Sequence, residues 1–529
     1  MLRLILDTQH VTIRGASLKV LKKLEHVTSY LVAGHYMSPA FRARRWDGRE
    51  HLMVHRGGRR YAPIGLYQDI RAALDEAGVE YVVKRRRAPE RERVEYVWND
   101  TIKLRPYQKA AVRAFCAAPD QGRGILKMPI RSGKTKTAAR IIYRLQARTL
   151  FMVPSQMLLH QTAESLAHSL PGAEIGVIGD GEWQPGDVTV ATVQSLVRAR
   201  GGTMKTCKGN ALRDEDTGML IEDSFSSEPC PCSRKRCKGG HRFRTPVDPR
   251  YTELMESHDL VVFDECHHLS GSAWHDVFMD SPARFRLGLS ATVFLDHAKE
   301  VEKGVIWLKA CCGGVKYEVE MSNLIEQGFL LRQHVQVHKV EEPKGREDEG
   351  WSKALPHELI YTNEYRNRLI IKLAQKALAD GYRNVLLATS SLHQVRALDA
   401  LLDSAGLDHG VIVGATPKPS RKLIVEQLKR GDFQVLLGTV LSEGVDIPEI
   451  ECVINAEGGL DIKKTIQRMR NLTPAEGKTR SLMIDFWDAT NTYLRKHSRA
   501  RLKTYKSESA FKVEEMWRKK GSPATRKRR

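Results

Sequence analysis

Two tandem α/β units, each built on a parallel sheet, are the fold that the sequence predicts for residues 101–488. Three observations predict it. Short apolar runs alternate with longer amphipathic stretches, the trace that parallel strands and their crossover helices leave in a sequence. The runs fall into two series, parted by the polar stretch EEPKGREDEGWSKALP at 341–356. A chain of 529 residues, at roughly 150 per domain, also has room for three or four separate cores.

In the first series the expected strands are TLFMVP at 149–154, VTVAT at 188–192, LVVFDE at 260–265 and RLGLSAT at 286–292. In the second they are NVLLATS at 384–390, GVIVGA at 410–415, QVLLGT at 434–439, CVINA at 452–456 and SLMIDF at 481–486. Apolar residues at helical spacing lie between them, as in HQVRALDALLDSAG at 393–406. Residues 200–250 interrupt the first unit with a Gly-, Ser- and Pro-rich charged stretch and are expected as an insertion. The resulting division is an N-terminal domain over 1–100, a first unit over 101–335, a linker over 336–360, a second unit over 361–488 and a basic extension over 489–529.

Composition excludes several classes. With 41% hydrophobic and 28% charged residues the chain is neither disordered nor collagenous. No run of 18 apolar residues occurs, and MLRLILDTQHV lacks a signal-peptide core and cleavage site. Nine cysteines in such a length are too sparse for a disulfide scaffold, so a cytoplasmic protein with reduced thiols is expected. The net charge of +22 is uneven: residues 1–100 carry +7, residues 489–529 carry +11, and the 388 residues between carry +4. Basic ends on a nearly neutral middle suit a polyanion, which gains affinity by counterion release. KRRR at 84–87 is expected as a nucleic-acid surface; RKKGSPATRKRR at the C-terminus serves either that role or solubility.

SGKT at 132–135 follows strand-like ILKMP and precedes helix-like KTAARIIYRLQA. A turn at a helix N-terminus offers N–H groups and a positive dipole to phosphate. Ser132 and Gly133 would form that turn, Lys134 would reach the β- and γ-phosphates, and Thr135 would ligate Mg²⁺. The strict G-x-x-x-x-G-K-T pattern fails, because Met128 stands at its first glycine. LVVFDECHH at 260–268 then places two adjacent carboxylates at a strand end: Asp264 for Mg²⁺ and Glu265 for the attacking water.

With these two motifs in hand, the order of elements resembles the superfamily-two DExH helicases. LRPYQ at 104–108 resembles the adenine-recognition element, giving Arg105 and Gln108. MVPSQMLLHQ at 152–161 and ATVQSL at 191–196 resemble the strand-contacting motifs, giving Ser155, Gln156, Thr192 and Gln194. SAT at 290–292 resembles the motif that links hydrolysis to unwinding. GTVLSEGVDIP at 438–448 resembles motif five, with Thr439 toward nucleic acid and Gly444 and Asp446 toward nucleotide. QRMRNLTP at 467–474 resembles motif six, giving Gln467 and Arg470 as the arginine finger. YEVEMSNLIEQGFLLR at 317–332 is most similar to the UvsW and XPB group, near type III restriction helicases. Residues 44–83 resemble the small α+β N-terminal domain of phage UvsW-type helicases, which gives Arg44, Arg45 and Trp46 as nucleic-acid contacts, with Trp46 alternatively a core residue.

The resemblance implies two RecA-like motor domains that clamp ATP and Mg²⁺, a small α+β N-terminal domain and a basic C-terminal tail. It also implies a DNA helicase moving 3′ to 5′ on branched DNA in replication, recombination or repair, working in the host cytoplasm if phage-encoded. Two departures stand out: Arg131 replaces a usual glycine in the nucleotide loop, and motif six fits best with its glycine deleted, so that Arg470 takes the arginine-finger place and Thr473 replaces the second arginine, whereas a gapless alignment puts Asn471 at the finger. An RNA helicase, a restriction-system translocase or a nucleic-acid binder with a weak ATPase are therefore the alternatives.

Within the insertion, Cys207, Cys230, Cys232 and Cys237, with His241 in reserve, form a candidate structural Zn²⁺ site; unligated thiols in a basic loop are the alternative. Cys311 and Cys312 are expected to pack against the linker, and Cys266 lies in the DECH box.

Overall fold

Each apolar run named above becomes a strand, and its neighbours explain why it is apolar throughout. Strands covered by helices on both faces need buried side chains on both, so Leu260–Asp264 and Val188–Thr192 are buried at every position. The computed structural model describes residues 1–86, 93–117, 122–129, 132–202, 204–206, 211–213, 220–225, 242–270, 272–291, 301–352, 354–439, 447, 449–459, 474 and 478–517. They form two units, one of Met1–Met128 with Gly133–Glu318, the other of Pro129–Ser132 with Val319–Arg529.

The first unit holds an eight-stranded sheet in the order Glu182–Gln184, Ile175–Gly179, Val188–Thr192, Thr149–Val153, Leu260–Asp264, Phe285–Ser290, Arg123–Lys127, Val315–Glu318. Its pairings are parallel except at the Glu182–Gln184 edge. Backbone pairs Met204–Thr206 with Arg242–Arg244 and Ala211–Arg213 with Leu220–Phe225 lie in the insertion. Cys311 and Cys312 are buried in this unit's core beside Cys266 rather than against a linker, and burial pushes the Cys311 thiol up to about 12. None of the three is poised as a thiolate.

The N-terminal domain is a five-stranded sheet in the order Val54–Arg56, Arg59–Pro63, His10–Arg14, Leu2–Leu6, Tyr81–Arg85, carrying helices Leu18–Val27 and Tyr67–Glu76. It does not stand apart from the large sheet. Its core extends to Ile306 and Ala310 of the helix Val301–Cys312, and Lys309 Nζ pairs with Asp69 at 2.5 Å. Gly65 makes this approach possible, since a Cβ there would overlap the carbonyl oxygens of Lys309 and Ala310. The join also begins before residue 100: the Tyr96 hydroxyl donates to the carbonyls of Ala147 and Asp187.

The second unit holds a seven-stranded parallel sheet in the order His409–Ile412, Val435–Gly438, Val385–Ala388, Cys452–Asn455, Ser481–Asp488, Gln333–Val340, Lys512–Glu515. Two expectations are corrected here. Gln333–Val340 overlaps the expected linker over 336–360, yet it is an internal strand paired on both sides. The expected basic extension over 489–529 contributes the helix Thr492–Ser507 and the strand Lys512–Glu515. Arg501 of that helix is fully buried. Its Nε lies 2.9 Å from Asp485 Oδ2, and its guanidinium donates to the carbonyls of Gly458, Gly459 and Phe486 at 2.7–2.8 Å. Arg366 pairs with Asp488 at 2.9 Å and donates to Ala456 O at 2.6 Å. Removing one member of such a buried network leaves a charge uncompensated.

Candidate nucleotide and nucleic-acid sites

The nucleotide loop follows the strand Arg123–Lys127 and runs into the helix Lys134–Leu145. Gly133 caps that helix in the left-handed region (φ 79°), a conformation that glycine adopts without steric cost. The Gln108 side-chain amide lies where a Gly133 Cβ would stand, so Gln108 abuts the loop. Gln108 is itself held by a turn: its Oε1 accepts from Arg105 N at 2.8 Å, and Arg105 Nη1 donates to the Tyr107 hydroxyl at 3.0 Å. Ser132 is buried, with Oγ donating to Pro129 O at 2.7 Å.

Lys134 Nζ lies 2.6 Å from Glu265 Oε1. Burial works against the ammonium, but Glu265 and Asp264 outweigh it and hold its pKa above the ordinary lysine value. Burial alone would neutralise Glu265; Lys134 and His267 overcome it and keep that carboxyl well below its usual range. Asp264, at the buried end of its strand, goes the other way: desolvation, only partly offset by Lys134, raises its pKa. Glu265 stands in the left-handed region (φ 53°), an uncommon conformation for a side chain of this kind and one that clusters at functional sites.

Sequence reasoning quoted His267 and Ser290 in their motifs but gave them no site role. His267 Nδ1 lies 2.9 Å from Ser290 Oγ and 3.3 Å from Glu265 Oε2. The histidine of DECH therefore joins the Glu265 carboxylate to the strand that ends in Ser290. Asp264 and the Thr135 hydroxyl, on the first turn of its helix, are hard oxygen donors of the kind Mg²⁺ takes, and a cation would offset the desolvation that raises the buried Asp264.

Thr149–Val153 and Val188–Thr192 are parallel neighbours, with Val153 opposite Thr192, so the segments that hold Ser155, Gln156, Thr192 and Gln194 leave the sheet at the same carboxyl end. Ser155 and Thr192 cap the following helices: Ser155 Oγ accepts from Leu158 N, and Thr192 Oγ1 accepts from Ser195 N. Gln194 Nε2 donates to Pro154 O at 2.7 Å, fastening one motif to the other. Gln156, at the first helical position, is exposed. In the second unit, Thr439 follows the strand Val435–Gly438, with its N–H on Ile412 O at 3.1 Å.

Arg44 and Arg45 are exposed and Trp46 is half-buried, its Nε1 donating to Arg49 O at 2.8 Å. With Tyr36 and Phe41 they line an open basin of about 580 Å³. Gly444, Asp446, Gln467, Arg470, Arg131, Thr473, Cys207, Cys230, Cys232, Cys237 and His241 lie outside the described residues. Among the described residues, no helix is long and apolar enough to cross a membrane.

Residues 101–295 match the family described as "Type III restriction enzyme, res subunit", and residues 366–470 match the "Helicase conserved C-terminal domain". A "Putative DNA 3'-5' helicase Rad25" of Haloarcula marismortui is 25% identical over 390 residues, which is 72% of this chain and 52% of that protein. The "DNA 3'-5' translocase XPB2" of Sulfurisphaera tokodaii is 23% identical over 422 residues, 73% of this chain and 82% of that one. Among solved structures, T4 UvsW is 18% identical, covers 97% of this chain and 98% of its own, and superposes with a TM-score of 0.41. The chain thus spans about half the length of the Haloarcula protein that it matches. Matched in both units and in the same order along the sequence, the chain belongs to the superfamily-two helicases and is similar to relatives named Rad25 and XPB2.

Proposed function

We propose that the chain is an ATP-driven DNA translocase and helicase, moving 3′ to 5′ and acting on forked or branched DNA. The observation that carries this reading is the Lys134–Glu265 pair at 2.6 Å beside buried Asp264. It is a resting arrangement with an obvious exchange. When the γ-phosphate arrives, the Lys134 ammonium, still protonated, exchanges Glu265 for the phosphate as its ion-pair partner and so releases Glu265. The freed carboxylate then orients and deprotonates the attacking water, still steadied by His267. Thr135 and Asp264 would hold Mg²⁺, which supplies charge neutralisation on the phosphates when bound. Gln108 and Arg105 read the base. Gln467 and Arg470 complete the hydrolytic set, Arg470 stabilising transition-state charge, while Gly444 and Asp446 contribute to nucleotide binding.

For nucleic acid, Ser155, Gln156, Thr192 and Gln194 form one contact group and Thr439 another. The basin of Arg44, Arg45 and Trp46 offers guanidinium charge beside aromatic faces, which suits a phosphate with an adjoining base. The names of the relatives favour DNA and 3′-to-5′ polarity. A zinc-bound insertion, held by Cys207, Cys230, Cys232 and Cys237 or with His241, belongs to the same proposal.

The match of residues 101–295 to a restriction subunit favours a second reading, a translocase that works with a nuclease partner. Steady-state phosphate release with no nucleic acid, single-stranded DNA, forked DNA or RNA, beside Lys134→Ala, separates these. Stimulation greatest on forked DNA and lost in the variant is expected. Stimulation by RNA alone, or a flat background unchanged in the variant, overturns the proposal.

A further inference from the structure

One exposed member of the basic run at 84–87 also lines a crevice. Arg85, at the end of the strand Tyr81–Arg85, reaches a crevice at the seam between the N-terminal domain and the large sheet of the same unit. Arg123, Lys316, Gly65, Gly313 and Gly314 line it as well, around a volume of about 70 Å³. Arg123 opens the strand whose other end leads into the nucleotide loop, so the crevice lies about 15 Å from that loop at five residues of extended chain.

The charge here is one-sided. Arg123 and Arg286 sit in register on neighbouring parallel strands. Arg286 is fully buried and donates to the carbonyls of Phe278 and Ser281. Arg123 Nη2 donates to Thr8 O at 3.2 Å. The Nε atoms of both are buried without a hydrogen bond. Among the described residues neither arginine has a carboxylate partner, and neither does Arg85. Burial, and then Arg286 and Arg85, push Arg123 down to about 10. Asp7 offsets them, but its carboxylate already accepts from Gln9 N and His10 N at 2.8 and 2.7 Å. Guanidinium groups remain charged at every physiological pH, so this cluster cannot relieve itself by losing protons. An oxyanion does relieve it, and a phosphate fits the fork of donors that an arginine presents.

We propose that the crevice lined by Arg85, Arg123 and Lys316 is a phosphate-binding site, separate from the nucleotide loop. The group bound is either a backbone phosphate of DNA or free inorganic phosphate. The DNA source rests on the function proposed above; the site itself does not.

Two measurements on the full chain test it, with Arg85→Ala as the exposed, fold-neutral variant and Arg123→Gln as the buried one. The first is duplex DNA affinity against salt concentration, with Arg59→Ala as a charge-matched control. A DNA source predicts a log–log salt slope shallower by about one, and roughly fivefold weaker binding, in Arg85→Ala but not in the control. The second is thermal unfolding with inorganic phosphate against chloride at equal ionic strength, in a Lys134→Ala background that removes the nucleotide-loop contribution. A free-phosphate source predicts stabilisation by phosphate that Arg85→Ala abolishes. Slopes that change equally in Arg85→Ala and Arg59→Ala, with no Arg85-dependent phosphate effect, overturn the site. Phosphate release by the chain with Lys134 intact keeps the two proposals apart: no ATPase there, together with Arg85-dependent phosphate binding, sinks the motor and leaves the crevice.

Discussion

Lys134 Nζ and Glu265 Oε1 stand 2.6 Å apart although 131 residues separate them in sequence. In this pair the cation proposed to meet the phosphate and the carboxylate proposed to orient the water satisfy one another while buried. Glu265→Gln is expected to lower ATP turnover about 10²- to 10³-fold while nucleotide still binds, because only the general base is lost. Lys134→Ala is expected to lose both, and to destabilise the unit by about 3 kcal/mol by leaving Glu265 uncompensated. Phosphate release and fluorescent-nucleotide titration check this; an E265Q protein that keeps a tenth of wild-type turnover sinks the assignment.

His267 is expected to affect rate more than affinity. His267→Ala removes the support of Glu265 and its tie to Ser290, so kcat is expected to fall by about tenfold with KM for ATP unchanged. A rise in KM at constant kcat means that His267 serves nucleotide binding instead.

Arg501 is a structural member of the second unit rather than part of a solvated tail. Arg501→Ala is expected to cost about 3–5 kcal/mol, since Asp485 and Asp488 stay behind in a site that water does not reach. Chemical denaturation reads this directly. A change below about 1 kcal/mol refutes the buried network.

His338 gives the second unit an acid-side weakness. Burial, with a smaller contribution from Lys376, lowers its pKa from 6.5 to about 4, and its Nε2 is buried without a hydrogen bond. Between those values the unfolded chain binds a proton that the folded chain does not. Stability is therefore lost as pH falls from about 6.5 and levels off near 4, by up to about 3 kcal/mol before discounting for solvent around the ring. His338→Phe is expected to flatten this part of the Tm–pH profile; an unchanged profile shows that other groups produce it.

Most strands legible in the sequence were those buried on both faces, where the run is apolar throughout; the outer strand His409–Ile412, which alternates, was legible from its own apolar run. Gln333–Val340 escaped because QHVQVHKV alternates buried and half-exposed positions, with histidine and lysine on the wetter side. Such a run next to a charged stretch reads as linker until its partners are known. Arg501 escaped for a different reason. Nothing in a basic stretch distinguishes the one arginine that turns inward, and its partner Asp485 lies 16 residues away on a strand. The nucleotide site was legible because adjacent residues carry its chemistry, in SGKT and DECH. The tie between His267 and Ser290 was not, since it spans 23 residues and depends on two strands lying side by side. The seam at Gly65 was equally hidden: a glycine shows no sign in sequence of what approaches it.

The placement of Gln333–Val340 has a consequence for synthesis. Both strands that flank it, Ser481–Asp488 and Lys512–Glu515, are made more than a hundred residues later. A nascent chain emerging from the ribosome therefore carries this strand with both edges open until residue 488 has followed it out, and with one edge open until residue 515 has. The first unit, complete by Glu318, is free to fold while the second is still being made. Closure of the second sheet is a late, long-range event, and its waiting strand is the place where a chaperone or a neighbouring nascent chain would pair first.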